Sequence, residues 1–173
     1  FGDVTVGIIV GSDSTEVSGA ETAKEDLTLL SVDYASGPLA LGLTVGNLKD
    51  SITAGDKSSQ TGIKASYDLG VAKVQWINTN YEDTSAGVKT GNKANNYSVS
   101  YPMGAMTLSA HYQSDKGQDT TSTLKTTGKS LNLDYALSKR TSLYMTTGSV
   151  TLKTAGVQTT KGSDTAIGLI HTF

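Results

Sequence analysis

The stretch Leu131-Asn132-Leu133-Asp134-Tyr135-Ala136-Leu137-Ser138-Lys139-Arg140 decides the fold. Large apolar side chains fall on Leu131, Leu133, Tyr135 and Leu137, and Ser130, Asn132, Asp134 and Ala136 alternate with them. A period of two marks a β-strand with one apolar and one polar face. Ser138-Lys139-Arg140 breaks the pattern as a turn, and Leu143 and Met145 open the next strand.

The same pattern recurs on either side. Leu39, Leu41, Leu43 and Val45 alternate with Ala40, Gly42, Thr44 and Gly46. Ile63, Ala65 and Tyr67 alternate with Lys64, Ser66 and Asp68, and Tyr97, Val99 and Tyr101 with Asn96, Ser98 and Ser100. Met106, Leu108, Ala110 and Tyr112 face away from Thr107, Ser109, His111 and Gln113. Ten strands are predicted, at about 2–11, 26–36, 39–49, 60–69, 71–82, 94–102, 105–114, 129–137, 140–151 and 163–173. Short turns are expected at Ser36-Gly37-Pro38, Gly70, Pro102-Met103-Gly104 and Ser138-Lys139-Arg140. Longer polar loops are expected at 12–25, 50–59, 83–93, 115–128 and 152–162. Short turns at one end and long loops at the other is the pattern of outer-membrane barrels, with the periplasm at the short end.

Two segments lose phase. Val74 and Trp76 give way to Ile77-Asn78, and Leu143 and Met145 give way to Val150 and Leu152. Either a β-bulge or exit from the membrane explains such a break.

Composition agrees with an all-β chain. Gly is frequent at 19 and Pro scarce at 2, and Ser and Thr fill much of the remainder. Gly, Ser and Thr are poor helix formers. Charged residues make up 17%, low for a soluble domain. The net charge of −2, with no basic stripe, argues against nucleic acid as a partner. Cys is absent, which excludes disulfides and argues against zinc or thiol chemistry. No apolar run is long enough for a membrane helix. Phe1-Gly2-Asp3 leads directly into Val4, Val6, Ile8 and Val10. The expectation is that an export signal has been removed or that residues before Phe1 are missing.

Tyr34, Tyr67, Tyr101 and Tyr135 recur about every 34 residues, each just before a short turn. A hairpin plus a loop produces that spacing, and the tyrosines are expected to form an interfacial girdle. A helical repeat of similar period conflicts with the inner period of two. Alternation alone does not separate a soluble sandwich from a lipid-facing barrel. The girdle and the turn–loop asymmetry favour the barrel, since lipid requires every backbone group to be paired.

The last segment, Asp164-Thr165-Ala166-Ile167-Gly168-Leu169-Ile170-His171-Thr172-Phe173, resembles the terminal strand of Gram-negative porins, especially the betaproteobacterial type. Leu131 to Tyr144, with its Leu-Ser-Lys-Arg-Thr turn, is similar to that family's penultimate hairpin. The resemblance implies a transmembrane antiparallel up-and-down β-barrel, with residues 1–173 forming a single domain or the last ten strands of a sixteen-stranded porin. It also implies a homotrimer in the outer membrane, surrounded by lipid and lipopolysaccharide. Phe173, Leu169 and Ile167 would be read by the barrel-assembly machinery. Departures from the family are the lack of a visible constriction-loop motif and of an arginine ladder, Arg140 being the only Arg.

Asp33, Lys64, Asp68, Lys73, Lys129 and Asp134 are expected to line the lumen and shape its potential, with weak selectivity of unassigned sign. His111 and His171 read as lumenal and interfacial residues, without a nucleophile–base or metal-binding motif beside them. Asp13, Glu16, Glu21 and Glu25, set against Lys24 in loop 12–25, are a candidate for divalent cations bridging to lipopolysaccharide, the ordinary reading being a solvated loop, and Lys153 and Lys161 are a candidate for lipid phosphates. The expected function is passive diffusion of small hydrophilic solutes and ions, without catalysis or cofactor. The rival readings are a complete ten-stranded barrel acting as adhesin or enzyme, and a secreted β-rich structural protein.

Overall fold

The computed structural model describes residues 3–18, 20–50, 56–117 and 124–173. Ten strands follow in order: β1 (Val4–Val17), β2 (Ala20–Ser36), β3 (Leu39–Asp50), β4 (Lys57–Asp68), β5 (Lys73–Ser85), β6 (Val88–Met103), β7 (Met106–Gly117), β8 (Leu124–Ser138), β9 (Thr141–Thr154) and β10 (Val157–His171). They form one antiparallel sheet in which each strand pairs with its neighbours in sequence. Nothing in this arrangement needs a crossover.

The short turns lie where the sequence places them. Gly37 and Gly104 adopt positive φ angles of 54° and 64° in two-residue turns. Asp68 closes its turn by accepting a 2.8 Å hydrogen bond from the Gly70 amide, and Ser138 Oγ accepts one from the Arg140 amide at 3.2 Å. Pro102, expected in a turn, instead occupies the end of β6 opposite Thr107.

The other end of the sheet departs from expectation. Residues 83–93 and 152–162 are strand arms joined by two-residue hairpins, not long loops. Ala86 and Gly87 have φ of 48° and 78°, and Ala155 and Gly156 have 50° and 81°. Two successive positive φ angles are the mirror-image turn whose twist suits a hairpin. β1 and β2 likewise run to Val17 and from Ala20. Parts of the expected loops at 50–59 and 115–128 lie outside the described residues.

Neither phase break is a bulge. The β4–β5 and β5–β6 registers run without interruption, and β9 shifts only against Ala136/Ser138 and Gln158/Thr160, near its ends. The side of the sheet carrying Val74 and Trp76 therefore continues with Asn78 and Asn80. It turns polar without changing side.

Among the described residues no second layer covers the sheet. The buried apolar core among the described residues is Ala94 alone, at 9% exposure. Leu41 and Tyr101 are 42% and 45% exposed. A soluble sandwich would bury such side chains between two sheets. Cross-strand partners point to the same side, so the registers assign every position to a face. Glycines crowd on the polar face. A methyl group at Gly42, Gly168 or Gly7 would come within 2.2, 2.5 and 2.7 Å of neighbouring side chains.

Candidate channel wall

The apolar face is built from rows of partners running across the sheet. One row joins Val4, Tyr34, Leu41, Ala65, Trp76, Tyr97 and Tyr112. The Tyr97 and Tyr112 rings meet at 6.2 Å. Trp76 Nε1 donates to Asn95 Oδ1 at 3.3 Å, and Asn78 Nδ2 donates to the same oxygen at 2.9 Å. Trp76, Tyr97 and Tyr112 thus form an aromatic cluster bordered by asparagines on this face. The sequence concealed it because Trp76, Tyr97 and Tyr112 come together only through register.

The four expected girdle tyrosines also lie on this face, arranged as a staircase. Tyr67 stands two residues turnward of Ala65, which is in the Tyr34 row. Tyr101 stands two residues turnward of Val99, in the Tyr67 row, and Tyr135 two turnward of Leu133, in the Tyr101 row. Continuing from the Tyr135 row through Leu143 to Leu169, the next step lands on His171. Phe173 packs edge-on against that imidazole at 4.8 Å, and Thr141 Oγ1 lies 2.9 Å from its Nδ1. Each step is two residues per two strands: about 7 Å along the strand against about 9.6 Å across, a slope of about 35°.

The polar face holds five of the six expected lumenal charges. Asp33, Gly42 and Lys64 are direct partners on β2, β3 and β4. Lys64 Nζ crosses over Gly42 to reach Asp33 Oδ1 at 2.7 Å. The missing side chain makes this possible, since a Cβ on Gly42 would lie 2.2 Å from Lys64 Cε. Asp68 is opposite Lys73 on β5, and Asp134 is opposite Thr107 and Tyr144.

Lys129 departs from the expectation. It pairs with Tyr112 and precedes Leu131 on the same side, so it belongs to the apolar face. Its parity with Leu131 carried that signal in the sequence. Lys129 is not isolated there. Lys93, Lys116, Lys125 and Lys153 are consecutive partners across β6, β7, β8 and β9 on this outer side.

His111 lies on the polar face between Ser98 and Ser130. Among the described residues no cluster of His and carboxylates is arranged to hold a metal ion. Loop-end carboxylates take hydrogen bonds from neutral groups: Ser58 Oγ donates to Asp83 at 2.5 Å and Asn92 Nδ2 to Asp115 at 2.9 Å.

A coreless sheet with an apolar belt on one side and a hydrogen-bonded polar side is the wall of an outer-membrane barrel. The family model for Gram-negative porins matches residues 1–155, and the chain belongs to that family. It is thus a protein of the bacterial outer membrane. The family match stops short of β10, where the terminal-strand resemblance lies. Structural likeness extends over it: an anion-selective porin from Comamonas acidovorans covers 100% of this chain at 21% identity and a TM-score of 0.82. OmpT of Vibrio cholerae, expressed in the outer membrane, covers 86% at 19% identity and 0.71. Another porin covers 98% at 16% identity and 0.64. The chain spans only 57%, 56% and 58% of these proteins. No curated protein matches by sequence.

Proposed function

We propose that this chain is part of the wall of a water-filled channel through which small hydrophilic solutes and ions diffuse passively, with no catalytic step. The observation that carries the reading is the two-sided, single-layer sheet. Leu41, Leu43, Val99 and Leu131 are solvent-exposed on one side, while Asp33 and Lys64 form an ion pair on the other. Only hydrocarbon accommodates the first side, and only water the second. The 35° staircase supports the girdle. Strands tilted by about 35–45° in a barrel bring Tyr34, Tyr67, Tyr101 and Tyr135 to one height.

Further strands are expected to close the ring. Among the described residues β1 has β2 as its strand partner and β10 has β9, and an open sheet edge is not tolerated in lipid. A self-standing ten-stranded barrel needs β1 to pair with β10, and the observed registers contain no such pairing. The closed barrel is read as a homotrimer component that presents Ile167, Leu169 and Phe173 to the assembly machinery.

The outward lysines point to lipopolysaccharide. Lys93, Lys116, Lys125 and Lys153 stand side by side. Like charges opposed across a ladder destabilise it, and lipid phosphates at the loop end offset that repulsion.

Planar-bilayer recording of the full-length protein tests the channel reading. Discrete, voltage-independent conductance steps are expected; a purified, folded protein that leaves the bilayer silent defeats it.

A further inference from the structure

The registers separate charge by side, and the separation has a sign. Among the described residues the polar face carries two cations, Lys64 and Lys73. Both are opposed: Lys64 is ion-paired with Asp33, and Lys73 is the direct partner of Asp68. The remaining carboxylates of this face are Asp13, Glu25, Asp83, Asp115, Asp134 and Asp164, and none has a lysine as its register partner. Asp13 is opposite Glu25, so two carboxylates share one rung. Asp83 and Asp115 are held by Ser58 and Asn92, neutral donors that leave the negative charge in place. The chain's only arginine, Arg140, sits in the turn between β8 and β9. The other lysines of the strands point outward.

We propose that this wall makes the channel prefer cations, a preference opposite to that in the name of the Comamonas porin. The inference rests on the channel reading above and gives it a solute class: small hydrated cations and cationic organic solutes. Fixed carboxylates on a water-filled wall lower the potential there, raising the local concentration of cations and depleting anions. The opposed lysines offset Asp33 and Asp68 in that field but leave the others.

Reversal potentials of the full-length channel in a potassium chloride gradient provide the test. Potassium is expected to permeate better than chloride. The ratio should rise as mean salt falls from about 1 M to 0.1 M, because the screening length grows from about 3 to 10 Å. The triple variant Asp83→Asn, Asp115→Asn, Asp164→Asn should lower the ratio at 0.1 M by at least about twofold. A wild-type ratio at or below unity at low salt overturns the proposal, as does a ratio that the triple variant leaves unmoved. Those outcomes spare the channel itself. A silent bilayer would instead overturn the channel reading on which the proposal stands.

Discussion

At Gly168 the space a side chain would need is taken by the ring of Tyr144. A methyl group there would sit 2.5 Å from the ring and hydroxyl of Tyr144, its partner on β9. The tyrosine ring covers the gap that glycine leaves, on the polar face. Gly168→Leu therefore forces the Tyr144 ring out of its place and is expected to destabilise the folded protein by about 0.5–1.5 kcal/mol. Removing the ring with Gly168→Leu/Tyr144→Ser should restore most of the loss. The check is the urea midpoint of the protein in lipid vesicles; an unchanged midpoint for the single variant would discard the contact. This pair was illegible in the sequence, because Tyr144 is out of phase with Leu143 and Met145 and meets Gly168 only through register. Lys129 is the opposite case. Its place was written in its parity with Leu131, and its charge argued for the wrong side.

Each strand has two regimes, and the sequence announced only one of them. Near the short turns, large apolar residues alternate with small polar ones, so β3, β4 and the turn end of β8 were legible almost to the residue. Toward the far end both faces turn polar, as with Asn78, Asn80, Thr127 and Ser149, and alternation vanishes although pairing continues. The hairpins there use Ala86-Gly87 and Ala155-Gly156, and alanine is not a residue that signals positive φ. The two faces should also respond differently to charge. Leu133→Lys places an ammonium group in the apolar belt and is expected to cost about 2–4 kcal/mol. Asn132→Lys, one residue away on the polar face, should fold normally. Folding yields in vesicles decide the matter, and equal losses would deny that the faces meet different solvents. On the outer side beyond the belt, lipopolysaccharide is expected to stay with the parent through detergent exchange and to be lost from Lys116→Gln/Lys125→Gln/Lys153→Gln. Equal retention would remove these lysines from lipid recognition.

Pairing sets the limit on what the whole sheet can do alone. Every interior strand is bonded on both sides, but among the described residues no strand pairs with the outer edge of β1 or of β10. Leaving the amides and carbonyls of an edge unpaired in hydrocarbon costs several kcal/mol each, so the described strands are not stable in a bilayer as an open ribbon. The edges must meet further strands of the same molecule, meet each other, or meet a second copy. The first option agrees with the similar proteins of which this chain spans little more than half. The native protein is then expected to have an intact mass well above the 18.0 kDa of these residues. A 173-residue chain refolded by itself should join copies at its edges and give multimers without a uniform conductance. The full-length protein should give one conductance per folded barrel. Intact mass spectrometry and single-channel recording on both chains separate the options. A lone short chain that runs as a monomer and conducts in uniform steps would mean that β1 and β10 close on each other, making ten strands a complete barrel.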